Sequence, residues 1–113
     1  MKILAVLALS TIGCISASAV EITGYISDEK CAAGASKAKA AADWIDPKQF
    51  EQCAKRCVKA GSAVVFVTED NKILKIDADS MTKVTPHIGH KVSVTGAIEG
   101  NSLKVESINA LKM

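Results

Sequence analysis

The 113-residue chain has few aromatic side chains, with one tryptophan, one tyrosine and two phenylalanines, and its formal net charge is only +2. Surfaces that bind nucleic acid combine basic side chains, which attract phosphates, with aromatic rings, on which bases stack. A near-neutral chain with so few rings supplies neither in quantity. The composition therefore argues against a nucleic-acid partner, and we expect Tyr25, Trp44 and Phe66 to pack in the core.

Common catalytic motifs are also missing. The sequence has no glycine-rich phosphate loop, no H-E-x-x-H zinc motif, no G-x-S-x-G nucleophile elbow and no paired catalytic carboxylates. Its two histidines, His87 and His90, flank Ile88 and Gly89 without an acidic or thiol neighbour in the local sequence. We expect them at the surface or half-buried, without a catalytic or ligand role. The sequence gives no support for an enzyme.

The N-terminus has the features of a secretory signal peptide. Lys2 precedes an apolar run over residues 3–15, and residues 17–19 form an A-x-A cleavage motif. We therefore predict a signal peptide over residues 1–19, a single domain over residues 20–113 and a periplasmic or secreted location. The apolar run is too short to span a membrane, and no longer one follows.

An alternative interpretation of the same segment is a lipoprotein. Gly13 and Cys14 resemble the end of a lipobox, in which the cysteine is acylated and retained. A lipobox usually has leucine, valine or isoleucine three residues before that cysteine, where this chain has Thr11. The A-x-A motif follows at a suitable distance, so cleavage after Ala19 is the favoured interpretation.

Hydrophobic periodicity predicts an α+β fold with a small, strongly bent antiparallel sheet and one clear helix. Asp46 is a good N-cap and Pro47 suits the first helical position, so we expect the helix to begin there and to end before Gly61. Its apolar stripe is formed by Phe50, Cys53, Ala54, Cys57 and Val58. The predicted strands cover residues 20–27, 63–68, 73–77 and 91–99 and a last segment that includes Leu103 and Val105.

Three further local features refine this prediction. Residues 31–46 are rich in alanine and lysine with few large apolar side chains, so we expect a mobile or weakly helical insertion after the first strand. Gly96 is expected at a bend or bulge of its strand. Ile108 breaks the alternation that Leu103 and Val105 begin, which indicates a bulge or a strand end.

Four segments together resemble a family of small secreted bacterial proteins of unknown function. They are GYISDEKC at 24–31, CAKRCVKAG at 53–61, GHKVSVTG at 89–96 and GNSLKVESI at 100–108. The resemblance covers nearly all of residues 20–113, and its cysteine pattern is more specific than its strand pattern. It implies a five-stranded OB-like barrel and an exported protein, and it implies no established activity.

Removal of the signal peptide would leave three cysteines, Cys31, Cys53 and Cys57. An odd number of thiols in an oxidising compartment cannot all pair within one chain. We expect a disulfide from Cys31 to Cys57, or to Cys53, where the first strand meets the end of the helix. Closing a loop of this length stabilises a fold by roughly 3–4 kcal/mol. The remaining thiol would be a small buried apolar side chain.

Other uses of the three thiols remain open. Three thiolates with Asp28 or a water as the fourth ligand would suit zinc or copper(I), although the spacing of Cys31, Cys53 and Cys57 is not that of a known structural zinc motif. An intermolecular disulfide through the spare cysteine would give a covalent homodimer. Thiol–disulfide catalysis is the weakest option, since C-x-x-C is absent. The sequence thus favours an exported binding or structural domain of unknown ligand, with metal binding or redox chemistry as the alternative.

Overall fold

The structure is a computed structural model that describes residues 19–113. Cys14 and all of the predicted signal peptide except Ala19 lie outside the described residues. The elements in chain order are β1 (Val20–Asp28), α1 (Glu29–Gly34), a 3₁₀ turn (Ala41–Asp43), α2 (Phe50–Lys59), β2 (Val64–Thr68), β3 (Ile73–Ile76), a 3₁₀ turn (Ala78–Ser80), α3 (Met81–Val84), a 3₁₀ turn (Thr85–His87), β4 (Lys91–Glu99) and β5 (Ser102–Leu111). None of the helices within residues 19–113 is long and apolar enough to cross a membrane.

The five strands form one sheet that closes on itself in the order β1-β2-β3-β5-β4, with β4 paired back to β1. The predicted α+β class and the five strands are confirmed, but the prediction of a purely antiparallel sheet is wrong. β3 and β5 pair in parallel at Lys75–Ser102 and Ile76–Leu103. The other pairings require β3 and β5 to be parallel. β3 runs in the same direction as β1, and so does β5, because β4 is antiparallel to both β1 and β5.

The β4–β5 hairpin contains the irregularity expected at Gly96. Thr95 pairs with Ser107 and Gly96 pairs with Val105, so Glu106 is an extra residue on β5. This bulge explains the break in alternation at Ile108. A side chain at position 96 would collide with the backbone of Lys104, which accounts for the glycine. Both local predictions are confirmed.

The core lies inside the closed sheet, and α2 covers one of its ends. Its largest fully buried side chains include Phe66, Ile26, Leu103 and Val92. From α2, Phe50 and Ala54 pack into the same core. The Phe50 ring meets the rings of Tyr25 and Trp44 edge to face, at centroid distances of 5.9 and 6.2 Å. The predicted core positions of Tyr25 and Phe66 are confirmed, and Trp44 is partly buried against the core.

The helix α2 begins at Phe50, about one turn later than the sequence predicts. Asp46 is not its N-cap. Its carboxylate instead accepts a hydrogen bond from the amide of Lys48 at 3.0 Å, and its carbonyl accepts one from the amide of Gln49 at 3.0 Å. Residues 46–49 therefore form a turn that leads directly into α2, since the Asp46 carbonyl also accepts a hydrogen bond from the amide of Phe50 at 2.8 Å. The side-chain bond to Lys48 lies within this turn.

The insertion after β1 contains the end of the short helix α1 and a 3₁₀ turn, in agreement with the weakly helical alternative, and it is hydrogen-bonded to the turn between β2 and β3. Asn71, in the turn between β2 and β3, donates from Nδ2 to the carbonyls of Ala35 and Ala38, each at 2.9 Å. Its Oδ1 accepts from the indole nitrogen of Trp44 at 2.8 Å. The buried side-chain amide of Asn71 thus forms three hydrogen bonds to a segment that has few large apolar side chains of its own.

Candidate metal and thiol site

The candidate site lies where β1 ends, α1 begins and the C-terminal half of α2 passes. Asp28 is both the last residue of β1 and the N-cap of α1. Its Oδ2 accepts hydrogen bonds from the amide of Cys31 at 3.0 Å and from the hydroxyl of Ser62 at 3.1 Å. An N-cap side chain accepts a hydrogen bond from the amide two or three residues later, here that of Cys31. The cap therefore places the Asp28 carboxylate beside the first turn that carries Cys31.

Two of the three cysteines meet at this corner. The sulfurs of Cys31 and Cys57 lie 3.7 Å apart, and both residues are half-buried. A carboxylate oxygen of Asp28 and these two sulfurs lie within 4.8 Å of one another. Within the part of the chain that the structure describes, this is the one cluster of three or more His, Cys, Asp or Glu side chains close enough to share an ion.

Cys53 is outside this cluster and exposed, so the expectation that it faces the core is wrong. An α-helix turns by about 100° per residue, which places Cys53 about 60° round the helix from the buried Phe50. The position is at the edge of the apolar stripe, where helical spacing alone does not decide burial. Cys53 nevertheless lines a cleft of about 150 Å³ together with Asp28, Cys31, Trp44 and Phe50.

Asp28 has an unsatisfied oxygen. The residue is completely buried, and its Oδ1 has no hydrogen-bond partner among residues 19–113. A buried polar atom without a partner costs roughly 1–3 kcal/mol, and more when the group is charged. Such an atom in a native protein calls for an explanation, and an ion held beside it is one.

The thiol of Cys31 is difficult to ionise in the absence of an ion. Burial is the main cause, and hydrogen bonding to Asp28 is the second; together with Cys57 they raise the pKa of Cys31 to about 12. At neutral pH this thiol therefore carries its proton. A metal ion that binds there must displace that proton, so binding releases acid.

His90 has a partner that the local sequence did not reveal. Its Nε2 lies 3.1 Å from Oε2 of Glu51, which comes 39 residues earlier in the chain. The rings of His87 and His90 lie 6.1 Å apart, and the Nδ1 atoms of both are buried without a partner within the described residues. The pair links the segment before β4 to α2, and it does not reach the thiol cluster.

We compared the chain with known proteins in three ways. Protein-family models, curated proteins and solved structures each gave no match.

Proposed function

We propose that the protein is an exported small domain with an OB-like barrel that binds a soft metal ion, zinc or copper(I), through Cys31, Cys57 and Asp28. The distance between the two sulfurs carries the proposal. Two thiolates on a tetrahedral zinc ion, each at about 2.3 Å from it, are about 3.8 Å apart. The 3.7 Å separation of Cys31 and Cys57 agrees with that value.

The chemistry of the donors supports the same function. Thiolates are soft ligands that favour zinc and copper(I) over magnesium or calcium. The carboxylate of Asp28 is a zinc ligand of ordinary type, and its Oδ1 would gain a partner from the ion. Its Oδ2 is already held by Ser62 and by the Cys31 amide, contacts that orient a ligand from its outer shell.

The closed five-stranded sheet supports the OB-like part of the proposal. An OB-fold is a five-stranded Greek-key barrel, and small barrels of this type bind their ligands with loops at the barrel surface. Here the thiol corner lies outside the barrel, at the end of β1. The proposal of export is based on the signal-like features of residues 1–19. The resemblance to small secreted bacterial proteins also implies an exported protein.

A disulfide between Cys31 and Cys57 is the second candidate, favoured by the same proximity in an oxidising compartment. All three cysteines in residues 19–113 are free in this structure, and a disulfide needs sulfurs about 2.05 Å apart. The bond would close a loop with a sequence separation of 26 and stabilise the fold by roughly 3–4 kcal/mol. Cys53 would then be the remaining thiol, and its exposure would allow a covalent homodimer or thiol exchange.

Native mass spectrometry with thiol titration distinguishes the two candidates. The protein is purified without chelators, and its free thiols are counted before and after a strong chelator is added. We expect a monomer with one bound zinc or copper ion and additional reactive thiols after chelation. A mass lower by two hydrogens, no bound metal and one reactive thiol with or without chelator would establish the disulfide and overturn the metal site. As a control, Ser36→Ala changes an exposed position of the insertion and should leave both results unchanged.

A further inference from the structure

The metal cluster supplies three donor atoms, and zinc takes four ligands in nearly all structural sites. Cys53 is the nearest thiol in sequence to Cys57, one helical turn before it on α2. Residues four apart on a helix have Cβ atoms about 5–6 Å apart on the same side. The H-E-x-x-H motif binds zinc with two side chains at this same spacing. A Cys-x-x-x-Cys pair on α2 therefore has a suitable geometry for a shared ion.

A cleft next to the cluster of Asp28, Cys31 and Cys57 also supports a role for Cys53 as a ligand. Cys53 lines it with Asp28 and Cys31, so Cys53 and two of the three proposed ligands border one space. Asp28 is fully buried, and its Oδ1 lacks a partner among the described residues. A cysteine side chain has a single χ1 angle, and a change of rotamer moves its sulfur from one staggered position to another. Cys53 is exposed, so packing in the core does not fix its rotamer.

We propose, building on the proposed function, that Cys53 is the third thiolate ligand and that it binds the ion from the cleft side. The complete set is then Cys31, Cys57, Cys53 and Asp28. The fold already brings Asp28, Cys31 and Cys57 together, and Cys53 is the exposed member of the set. Because this ligand faces solvent, the ion is open on that side to a competing thiolate. The ligand number is that of a structural zinc site. Cys53, as the exposed ligand, is the one that a competing thiolate can replace, so the site is suited to accept and release a thiophilic ion.

Cobalt(II) substitution tests this assignment, because the intensity of the sulfur-to-cobalt charge-transfer band increases with the number of cobalt–thiolate bonds. Reduced, metal-free protein is titrated anaerobically with cobalt(II), as wild type and as Cys53→Ser. We expect the band of Cys53→Ser to be about one third weaker than that of wild type, in proportion to two thiolates instead of three. Gln52→Ser, an exposed neighbour on the same helix, is the matched control and should retain the full band.

The results separate this inference from the proposed function. Equal bands in wild type and Cys53→Ser, with a weaker band in Cys31→Ser, would overturn the role of Cys53 and leave the site of Cys31, Cys57 and Asp28 intact. No charge-transfer band in wild type would overturn both. Zinc competition provides a second measurement: Cys53→Ser should lose zinc to a chelator faster than Gln52→Ser, and equal rates would contradict the proposal.

Discussion

At the scale of single residues, Asp28 has the most demanding position in the molecule. One carboxylate oxygen caps α1 and accepts a hydrogen bond from the Ser62 hydroxyl. The other oxygen is buried and has no hydrogen-bond partner within residues 19–113. The Ser62 hydroxyl in turn accepts a hydrogen bond from the amide of Lys30 at 3.1 Å. The structural role of Asp28 thus uses one oxygen, and the proposed ion would use the other.

Replacing Asp28 by asparagine separates these roles, since asparagine is also a good N-cap. We expect Asp28→Asn to weaken zinc binding by about 100-fold or more, because losing a ligand costs more than the roughly 10–100-fold typical of an outer-shell partner. Copper(I), which prefers sulfur, should lose much less affinity. Competition titrations with chelators for each ion measure both constants.

Asp43→Asn serves as the control, since Asp43 accepts the Ala40 amide at 3.2 Å in the insertion and is exposed. An equal loss of zinc and copper(I) affinity in Asp28→Asn would mean that the variant disturbs the corner as a whole. Unchanged zinc affinity would remove Asp28 from the ligand set.

At the scale of elements, two long-range contacts hold the segments around the site. Asn71 fastens the insertion to the β2–β3 turn, and His90 joins the segment before β4 to Glu51 on α2. Neither contact could be predicted from the local sequence. The sequence around Asn71 predicts only a turn, and Glu51, the partner of His90, lies 39 residues earlier in the chain. The His90 contact reaches the first turn of α2, the element that carries Cys53 and Cys57, and the Asn71 contacts hold the segment that precedes α2.

Asn71→Ala should destabilise the protein by about 2–4 kcal/mol, because it leaves buried hydrogen-bonding groups of Ala35, Ala38 and Trp44 without their partner. Asn71 has a φ of 66°, which alanine also disfavours. Asn71→Gly removes that backbone cost and isolates the hydrogen-bond share. Urea unfolding followed by the fluorescence of Trp44, the single tryptophan, measures both variants. A loss below about 0.5 kcal/mol, the range of ordinary surface substitutions, would contradict the anchoring role.

Glu51 gives a pH dependence with a definite sign. Lys55, at 2.6 Å, and then His90 lower the pKa of Glu51. A carboxyl whose pKa is lower in the folded state contributes stability above its unfolded pKa, and this contribution is lost as pH falls through the folded value. Glu51→Gln should therefore be less stable than wild type at pH 7, and the difference should vanish in acid.

Thermal unfolding at several pH values between neutral and strongly acidic measures this difference. Glu51 is exposed at the surface, so we expect a small effect that salt reduces further. Glu106→Gln is the matched control, because the side chain of Glu106 forms no ion pair within the described residues. A Glu51→Gln difference that stays constant down to acid would show that the carboxylate charge is not its cause.

At the scale of the whole molecule, the sequence predicted what depends on local pattern. Hydrophobic alternation located the strands, and the glycine at position 96 with the parity break at Ile108 located the bulge. The parallel β3–β5 pair was missed, because it follows from which strands are neighbours when the sheet closes and not from the pattern of either strand. For the site, helical period placed Cys57 correctly but wrongly predicted that Cys53 faces the core, since both lie near one stripe and only packing sets their exposure.

Metal binding should stabilise the entire fold, because the proposed ligands come from β1, α1 and α2. A ligand at one hundred times its Kd contributes about 2.7 kcal/mol. For a domain of this size that corresponds to roughly 10–20 °C in Tm. We expect a chelator to lower the Tm of wild type by this order and to leave Cys31→Ser unchanged. Equal chelator effects on both proteins would place the stabilising ion elsewhere.

X-ray absorption at the zinc edge of the zinc-loaded protein tests the central claim most directly. We predict at least two sulfur neighbours at about 2.3 Å and oxygen at about 2.0–2.2 Å, as expected for Cys31, Cys57 and Asp28. The sulfur shell should disappear in the variant that lacks both Cys31 and Cys57. A first shell of oxygen or nitrogen alone in the wild-type protein would contradict the account.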